Sequence, residues 1–311
     1  MENYIKKINL YHSLVFFLLA NVFSLILDQN RNLIISPIIC LFLILTIGIS
    51  HGSLDHIKGK KLLDILKIDN IYLFFFAYIL MSLIVIILWL ILPATSLVIF
   101  LLVASYHFGK EDTEFLTNNN LALNQLLYFL KGLLIIIAPL QFHFGETIDI
   151  FKLLFLENEK LYIFIDFIED NKILPIVFLL SASSSIYLFI SNFKFISFSI
   201  FLDFFSILIL NYYLSPIVAF TIYFCFLHSI RHSFSLIFQI NSKSFKSGFL
   251  IFLKRALPLT ILTTAIYLIT LFYLNNSYEF NDAILKVIFI GLASLTFPHI
   301  LLEYLVEKNE K

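Results

Sequence analysis

Cysteine and arginine are scarce in this sequence, and each scarcity excludes a class of protein. Only two cysteines, Cys40 and Cys225, occur among the 311 residues, and both lie in apolar stretches. Two cysteines cannot build a framework of several disulfide bonds or a thiolate-rich metal site. Arg31, Arg231 and Arg255 are the only arginines, and 21 Lys and Arg residues balance 21 Asp and Glu residues. A net charge of zero gives no electrostatic basis for binding nucleic acid.

Charged residues are also too few for a soluble domain. They make up 14% of the chain against 60% hydrophobic residues, and the mean hydropathy is +0.95. Soluble domains carry about 25% charged residues. The composition therefore predicts an all-α protein, a polytopic bundle of transmembrane helices in a lipid bilayer. About ten apolar segments (eight to ten) are long enough to cross it: 9–28, 33–54, 71–92, 95–109, 121–142, 173–191, 195–212, 216–238, 249–274 and 281–304.

No linker or separate soluble domain interrupts these segments, which predicts one integral domain over residues 1–311. No convincing cleavage site follows the first segment, so we expect an uncleaved first helix. With ten spans, nearly all lysines between the segments fall on one side, and the acidic stretch 143–172 falls on the other. Because cytoplasmic loops carry the excess of Lys and Arg, we expect both termini in the cytoplasm and the protein in the cell membrane.

The stretch 224–234 places His228, Arg231 and His232 in an apolar background. Two histidines four residues apart project from one face of a helix, one turn apart. Such a pair is a recurrent way to present two nitrogens to one metal ion. Burying these nitrogens in hydrocarbon is costly unless they are paired or ligated, so the stretch indicates an intramembrane metal site.

Three further histidines occur at a similar depth on other predicted spans. His51, His107 and His299 each lie near the predicted inner end of a span. Four helices would then bring histidines to one layer, as in the ligand sites between facing helices of bundles. His56 is five residues from His51 and points about 140° away from it, so it is a poorer candidate. Nitrogen ligands suit Zn, Cu, Fe or Ni and leave the choice among them open.

Carboxylates accompany these histidines at a regular spacing. Asp55, Glu111 and Glu303 each follow a histidine of the layer by four residues. Since metal-bound histidines commonly donate their second N–H to a carboxylate, these acids are candidates for orienting the ligands, although acids near a membrane surface are ordinary.

Two charged residues lie deeper in predicted spans. Asp203 is near the middle of one, where an acid is expensive. It either orients a histidine of the next span or pairs with Arg231. Lys131 is equally unusual, and it either neutralises an acid or extends to the surface.

The histidine motifs resemble the Brp/Blh family of bacterial and archaeal integral-membrane β-carotene 15,15′-dioxygenases. In order, along residues 33–304, they are His51-Gly-x-x-Asp55-His56, Ser105-x-His107-Phe-Gly, Phe224-Cys-Phe-x-His228-Ser-x-Arg231-His232 and Phe297-Pro298-His299. The resemblance implies an Fe(2+) enzyme that cleaves all-trans-β-carotene at its central double bond with O₂ to give two retinal molecules. It implies that His51, His107, His228 and His232 bind the iron and that His299 lies near the site. A rhodopsin-type acceptor of the retinal is a further partner consistent with this resemblance.

Two other functions remain open from the residues. A membrane di-iron hydroxylase or desaturase needs about eight or more histidine ligands, whereas this chain has eight histidines in total. A metal or proton-coupled transporter would use Asp203, Lys131 and Arg231 as pathway residues, but the chain lacks the internal repeats and Gly-rich broken helices typical of transporters. A related enzyme acting on a different carotenoid is a third alternative.

Overall fold

The structure, a computed structural model, describes residues 2–29, 35–50, 52–116, 122–155, 163, 167–168 and 172–310. This part of the chain contains helices and no strand, which confirms the all-α transmembrane bundle. The α-helices are α1 (Glu2–Gln29), α2 (Pro37–Leu43), α3 (Asp55–Ile65), α4 (Ile71–Ile91), α5 (Pro93–Glu111), α6 (Ala122–Phe142), α7 (Phe144–Phe155), α8 (Ile173–Ser191), α9 (Phe198–Tyr213), α10 (Pro216–Ile222), α11 (Ile230–Ile240), α12 (Phe245–Leu274) and α13 (Phe280–Glu310).

Among the described residues, nine helical segments are long and apolar enough to cross a bilayer, within the predicted eight to ten. The predicted span 95–109 forms α5, but α5 is not among the nine. Its last turns carry Ser105, His107 and Lys110 in place of apolar residues. These polar residues lower the mean hydropathy of the helix.

The helices differ strongly in how much of their surface other helices cover. The segment Pro216–Ile240 is 67% buried, whereas α4 and α12 are each 11% buried. Helix α13 packs against α3, α4, α5, α7 and α12. The histidine-bearing segments therefore form the centre of the bundle, and α4 and α12 lie at its periphery.

Two short π-helical stretches interrupt the central segments. Ile44–Gly48 follows α2, and Tyr223–Ser229 joins α10 to α11. The two stretches pack on each other, and the Ser229 hydroxyl donates to the Gly48 carbonyl at 2.9 Å. A Cβ at Gly48 would lie 2.6 Å from the Phe224 ring, so only glycine permits this approach. Since π-helical turns are frequent at functional sites, their position around His228 directs attention to that residue.

Helices α5 and α6 make the closest backbone approach in this region, through a pair of glycines. A Cβ at Gly132 would collide with the carbonyl oxygen of Ser105, and a Cβ at Gly109 would collide with that of Tyr128. Small residues at such positions let transmembrane helices pack backbone to backbone. The contact fixes the segment of α5 that carries His107.

Part of the acidic stretch 143–172 folds back onto the bundle. Its described portion forms α7, where the Trp89 indole N–H donates to the Leu154 carbonyl at 3.1 Å and the Lys286 ammonium donates to the Leu153 carbonyl. The side chain of Leu154 is buried. Helix α7 is therefore a packed element of the fold and not a free loop.

Candidate metal centre

Four histidines from three parts of the fold, three of them buried and one half-buried, form a continuous row. The ring centroid of His107 lies 5.4 Å from that of His228 and 5.2 Å from that of His299. The ring of His232 follows at 6.1 Å from His299. Helix α5, the segment from the π-helical stretch into α11, and α13 supply these residues. We call these four residues the histidine row. His51, predicted as a fifth member of the layer, lies outside the described residues.

Each ring of the row has a carboxylate beside its Nδ1 atom. The Nδ1 of His299 lies 2.8 Å from Asp55, that of His232 lies 3.1 Å from Glu111, and that of His228 lies 3.4 Å from Asp112. A carboxylate on one nitrogen sets the tautomer and presents the other nitrogen to a metal. The row therefore has the arrangement expected of metal-binding histidines, in which Nε2 would be the ligand atom.

Glu303 connects the two central histidines of the row. Its carboxylate lies 3.5 Å from Nδ1 of His107 and 3.5 Å from Nε2 of His299. Ligand atoms of His107, His299 and Glu303 lie within 4.8 Å of one another, and those of Glu111, His232 and Glu303 do so as well. His299 and Glu303, predicted near the site, are thus among the residues that could hold a metal ion.

The predicted carboxylates are at the site: Glu303 lies 3.5 Å from His299 on its own helix, whereas Asp55 and Glu111 contact histidines of other helices. Glu111 does not hydrogen-bond to His107, the histidine four residues before it, but contacts His232. Asp55, on α3, contacts His299 on α13. Glu111 therefore faces a histidine of another helix and not the one a turn before it on α5.

Asp112 is a site residue that the sequence analysis missed. Its carboxylate accepts a hydrogen bond from the Tyr223 hydroxyl at 2.6 Å and lies 3.4 Å from His228 and 3.5 Å from Arg231. Burial disfavours its charge, but the hydrogen bond with His228 and the charges of His228, Arg231 and Lys131 outweigh burial and hold the pKa of Asp112 well below its usual range. Its position one residue after Glu111, at the end of a motif, was the available signal.

Asp203 pairs with Arg231, one of its two predicted roles. The guanidinium makes a bidentate contact, with distances of 2.8 and 3.0 Å to the two carboxylate oxygens, and both side chains are buried. Arg231 also donates to the Ser13 hydroxyl of α1 at 2.8 Å. The Lys131 ammonium lies 3.4 Å from the Asp112 carbonyl oxygen. These charges compensate one another behind the histidine row.

An apolar crevice ends at the row. It is about 420 Å³ in volume and is bounded by α4, α12 and α13, with Phe108 and Phe224 beside the histidines. Its other walls include Phe75, Ile79, Leu83, Leu262 and Ile266, and His107, His228 and His299 also line it. His56 lines it too, with its Nδ1 held 3.0 Å from the Ser53 carbonyl of its own helix turn. We call this space the crevice.

A second, polar cavity reaches the row from another direction. It is about 490 Å³ in volume, and His228 and His232 line its deep end. Its charged lining residues are Lys58, Lys61, Glu111, Asp112, Glu114, Arg231, Glu303 and Glu307. We call this space the vestibule. His228 lines both spaces, so the row separates an apolar cavity from a polar one.

The donor set fits a divalent transition-metal ion. Several imidazoles whose Nδ1 atoms face carboxylates, with Glu303 nearby, suit Fe, Zn, Cu or Ni. The phenyl rings of Phe108 and Phe224 lie 4.8 and 6.0 Å from the His228 ring and exclude water on that side. The described residues bring four histidines together, fewer than a histidine-rich di-iron site uses.

Comparisons with known proteins give two similarities to this chain. The chain matches the protein family described as Beta-carotene 15,15′-dioxygenase over residues 42–307, a range that contains all four histidines of the row. A protein named Beta-carotene 15,15′-dioxygenase from the uncultured marine bacterium 66A03 is 29% identical over 274 residues. The alignment covers 84% of this chain and 90% of that protein. No solved structure matches the chain.

Proposed function

We propose, because this chain belongs to the family of β-carotene 15,15′-dioxygenases, that it cleaves all-trans-β-carotene with O₂ at the central double bond to give two retinal molecules. The observation that carries this proposal is the histidine row at the end of an apolar crevice. A hydrocarbon substrate requires an apolar site, and oxidation by O₂ requires a metal or cofactor beside it. The two features meet at His107, His228 and His299.

The residues proposed to hold the metal are His107, His228 and His232, with His51 assigned by the family motif. His299 and Glu303 stand beside them. The proposed ion is Fe(2+), which supplies the activation of O₂ that a polyene and protein side chains lack. Asp112 and Glu111 hold the rings of His228 and His232 in the orientation that binding requires.

The crevice is proposed to bind the polyene and to place one double bond beside the row. Its lining is mostly Phe, Leu and Ile, so it desolvates the chain and excludes water. The packed rings of Phe108 and Phe224 limit how the polyene can approach His228. Holding the reacting bond within reach of the site is the main contribution of the protein to the rate.

The substrate is proposed to enter from the bilayer. β-Carotene is too apolar to arrive through water, and the crevice walls on α4 and α12 include Ile79, Leu83, Leu262 and Ile266, which are exposed to the surroundings of the bundle. A crevice between peripheral helices would admit a lipid-dissolved molecule sideways.

We also propose a single domain over residues 1–311 in the cell membrane, both termini in the cytoplasm, and delivery of retinal to a rhodopsin-type acceptor.

The test is pigment analysis of bacteria that accumulate β-carotene and express this chain. We expect the orange pigment to fall and retinal to appear. His228→Ala should abolish the retinal, whereas His143→Ala, which removes a histidine outside the row and both cavities, should leave it unchanged. Membrane fractions are compared for equal protein, and iron content is measured in parallel.

Intact β-carotene with folded, iron-loaded protein would contradict the proposed substrate. Retinal from His228→Ala at the normal level would contradict the proposed site. Membership in an enzyme family favours this activity over the transporter alternative, and the four gathered histidines favour a single ion over a di-iron cluster.

A further inference from the structure

The polar lining of the vestibule is unsuited to carotenoid, O₂ or retinal. All three are largely apolar, and the crevice already provides apolar access to the row. The vestibule is lined by five carboxylates against three Lys and Arg residues. Lys58 pairs with Glu303 inside it, and Lys110 pairs with Glu307 and Glu114 at its mouth. The remaining negative excess is small, but a polar lining of this kind still repels apolar molecules and favours cations. The one charged species that the proposed reaction needs is the metal ion.

The exposed fraction of these side chains falls from the outer end of the vestibule to its inner end. The side chains of Glu307 and Glu114 are 45% and 44% exposed. Glu303 is 12% exposed and His232 10%, and His228, at the deep end, is 1% exposed. The cavity therefore leads from the charged ends of α5 and α13 to the buried histidines.

Two overlapping groups of ligand atoms continue this path into the row. Glu111, His232 and Glu303 form the group that lines the vestibule. His107, His299 and Glu303 form the second group, whose histidines line the crevice. Glu303 belongs to both groups, so an ion held by the first group can reach the second without losing this carboxylate ligand.

From these observations we propose that the vestibule is the loading path by which a divalent metal ion reaches the histidine row from the aqueous side. Glu114 and Glu307 attract the ion at the mouth, and Glu303 passes it from the Glu111 and His232 side to His107 and His299. The crevice takes no part in loading. This inference rests on the proposed metal centre.

The test measures the rate of metal loading in the full chain, purified in detergent and stripped with a chelator. Cobalt(II) is the probe, followed by its visible absorption. Glu114→Gln/Glu307→Gln removes the two carboxylates at the mouth, and Glu279→Gln/Asp282→Asn removes two carboxylates near the start of α13. Thr263→Trp narrows the crevice.

We expect the mouth variant to load about ten-fold more slowly at low salt, because a cavity lined by opposite charge raises on-rates by that order or more. The amount bound at saturation should be unchanged. Added salt should slow the unmodified chain towards the variant, since screening weakens the attraction. The α13 control and Thr263→Trp should load at the normal rate.

Equal low-salt rates for the unmodified chain and the mouth variant would overturn the loading path. Slow loading in Thr263→Trp with normal loading in the mouth variant would assign the path to the crevice and overturn it as well. If neither the unmodified chain nor any variant binds cobalt, the metal centre itself is contradicted, and both proposals with it. The mouth variant, once loaded with iron, should still produce retinal, since a defect in loading alone leaves cleavage intact. This result separates a failure of the loading path from a failure of the proposed activity.

Discussion

His299 and Asp55 face each other across two helices, with Nδ1 of the imidazole 2.8 Å from both carboxylate oxygens. The Tyr78 hydroxyl donates to Asp55 at 2.8 Å and holds the carboxylate from its other side. Asp55 begins α3 and His299 lies in α13, so this contact ties the buried start of α3 to the centre of the site. The ring orientation of His299 depends on it.

Asp55→Asn should weaken metal binding by about 10- to 100-fold, the usual effect of removing a carboxylate that orients a histidine of a metal site. The amide keeps the size of the side chain but offers the imidazole N–H a neutral oxygen as acceptor in place of a charged carboxylate oxygen. The measurement is the cobalt dissociation constant in detergent. Asp64→Asn, on the exposed part of the same helix, is the control, and equal weakening in both variants would mean that the effect is not local.

Arg231→Leu should destabilise the protein by about 3–5 kcal/mol, because it leaves the buried carboxylate of Asp203 without its partner. Arg231→Leu/Asp203→Leu should recover most of this loss, since it removes both charges. Unfolding in a detergent titration measures the free energy. A double variant as unstable as the single one would show that the arginine acts mainly through Asp112 and Ser13.

Gly132→Ala should destabilise the protein by about 1–3 kcal/mol, the usual cost of overpacking, because the new methyl group collides with the Ser105 carbonyl. Helix α5 must move to relieve the collision, and His107 moves with it. We expect lower metal content in the folded fraction as well as a lower melting temperature. Gly145→Ala has open space around its Cβ and should change neither quantity.

Thr263→Trp should lower β-carotene cleavage by about 100-fold, because the indole fills part of the crevice and misplaces the polyene. Metal content should remain normal. Thr264→Trp introduces the same side chain at the neighbouring position, which does not line the crevice, and should cleave normally. Retinal released from detergent-solubilised β-carotene gives the comparison, and equal activity in the two variants would place the substrate elsewhere.

The sequence predicted the histidine row because depth along a helix follows from residue number. His107, His228, His232 and His299 could be assigned to one layer from the span boundaries and the rise per residue. The carboxylate partners could not be predicted in the same way. Asp55 meets His299 and Glu111 meets His232 through contacts between helices, and spacing along one helix carries no information about which helices are neighbours.

Asp112 escaped prediction for a related reason. An acid just after a helix end is usually solvated, and only the packing of Tyr223, His228 and Arg231 around it buries this one. The sequence predicted α5 as a membrane span. Its last turns are polar, because His107 and its neighbours of the site occupy them. The π-helical stretches leave no mark in the 3.6-residue periodicity of such uniformly apolar segments.

The π-helical stretch Tyr223–Ser229 places different limits on substitution and on chain length. Such a turn accommodates one more residue than an α-helical turn. Deleting any one residue of the stretch would let the span close into a regular α-helix and rotate α10 by about 100° relative to His228 and His232. Many substitutions are possible here without that rotation, but an insertion or a deletion would cause it. Relatives that retain both histidines should therefore align through this stretch without a gap.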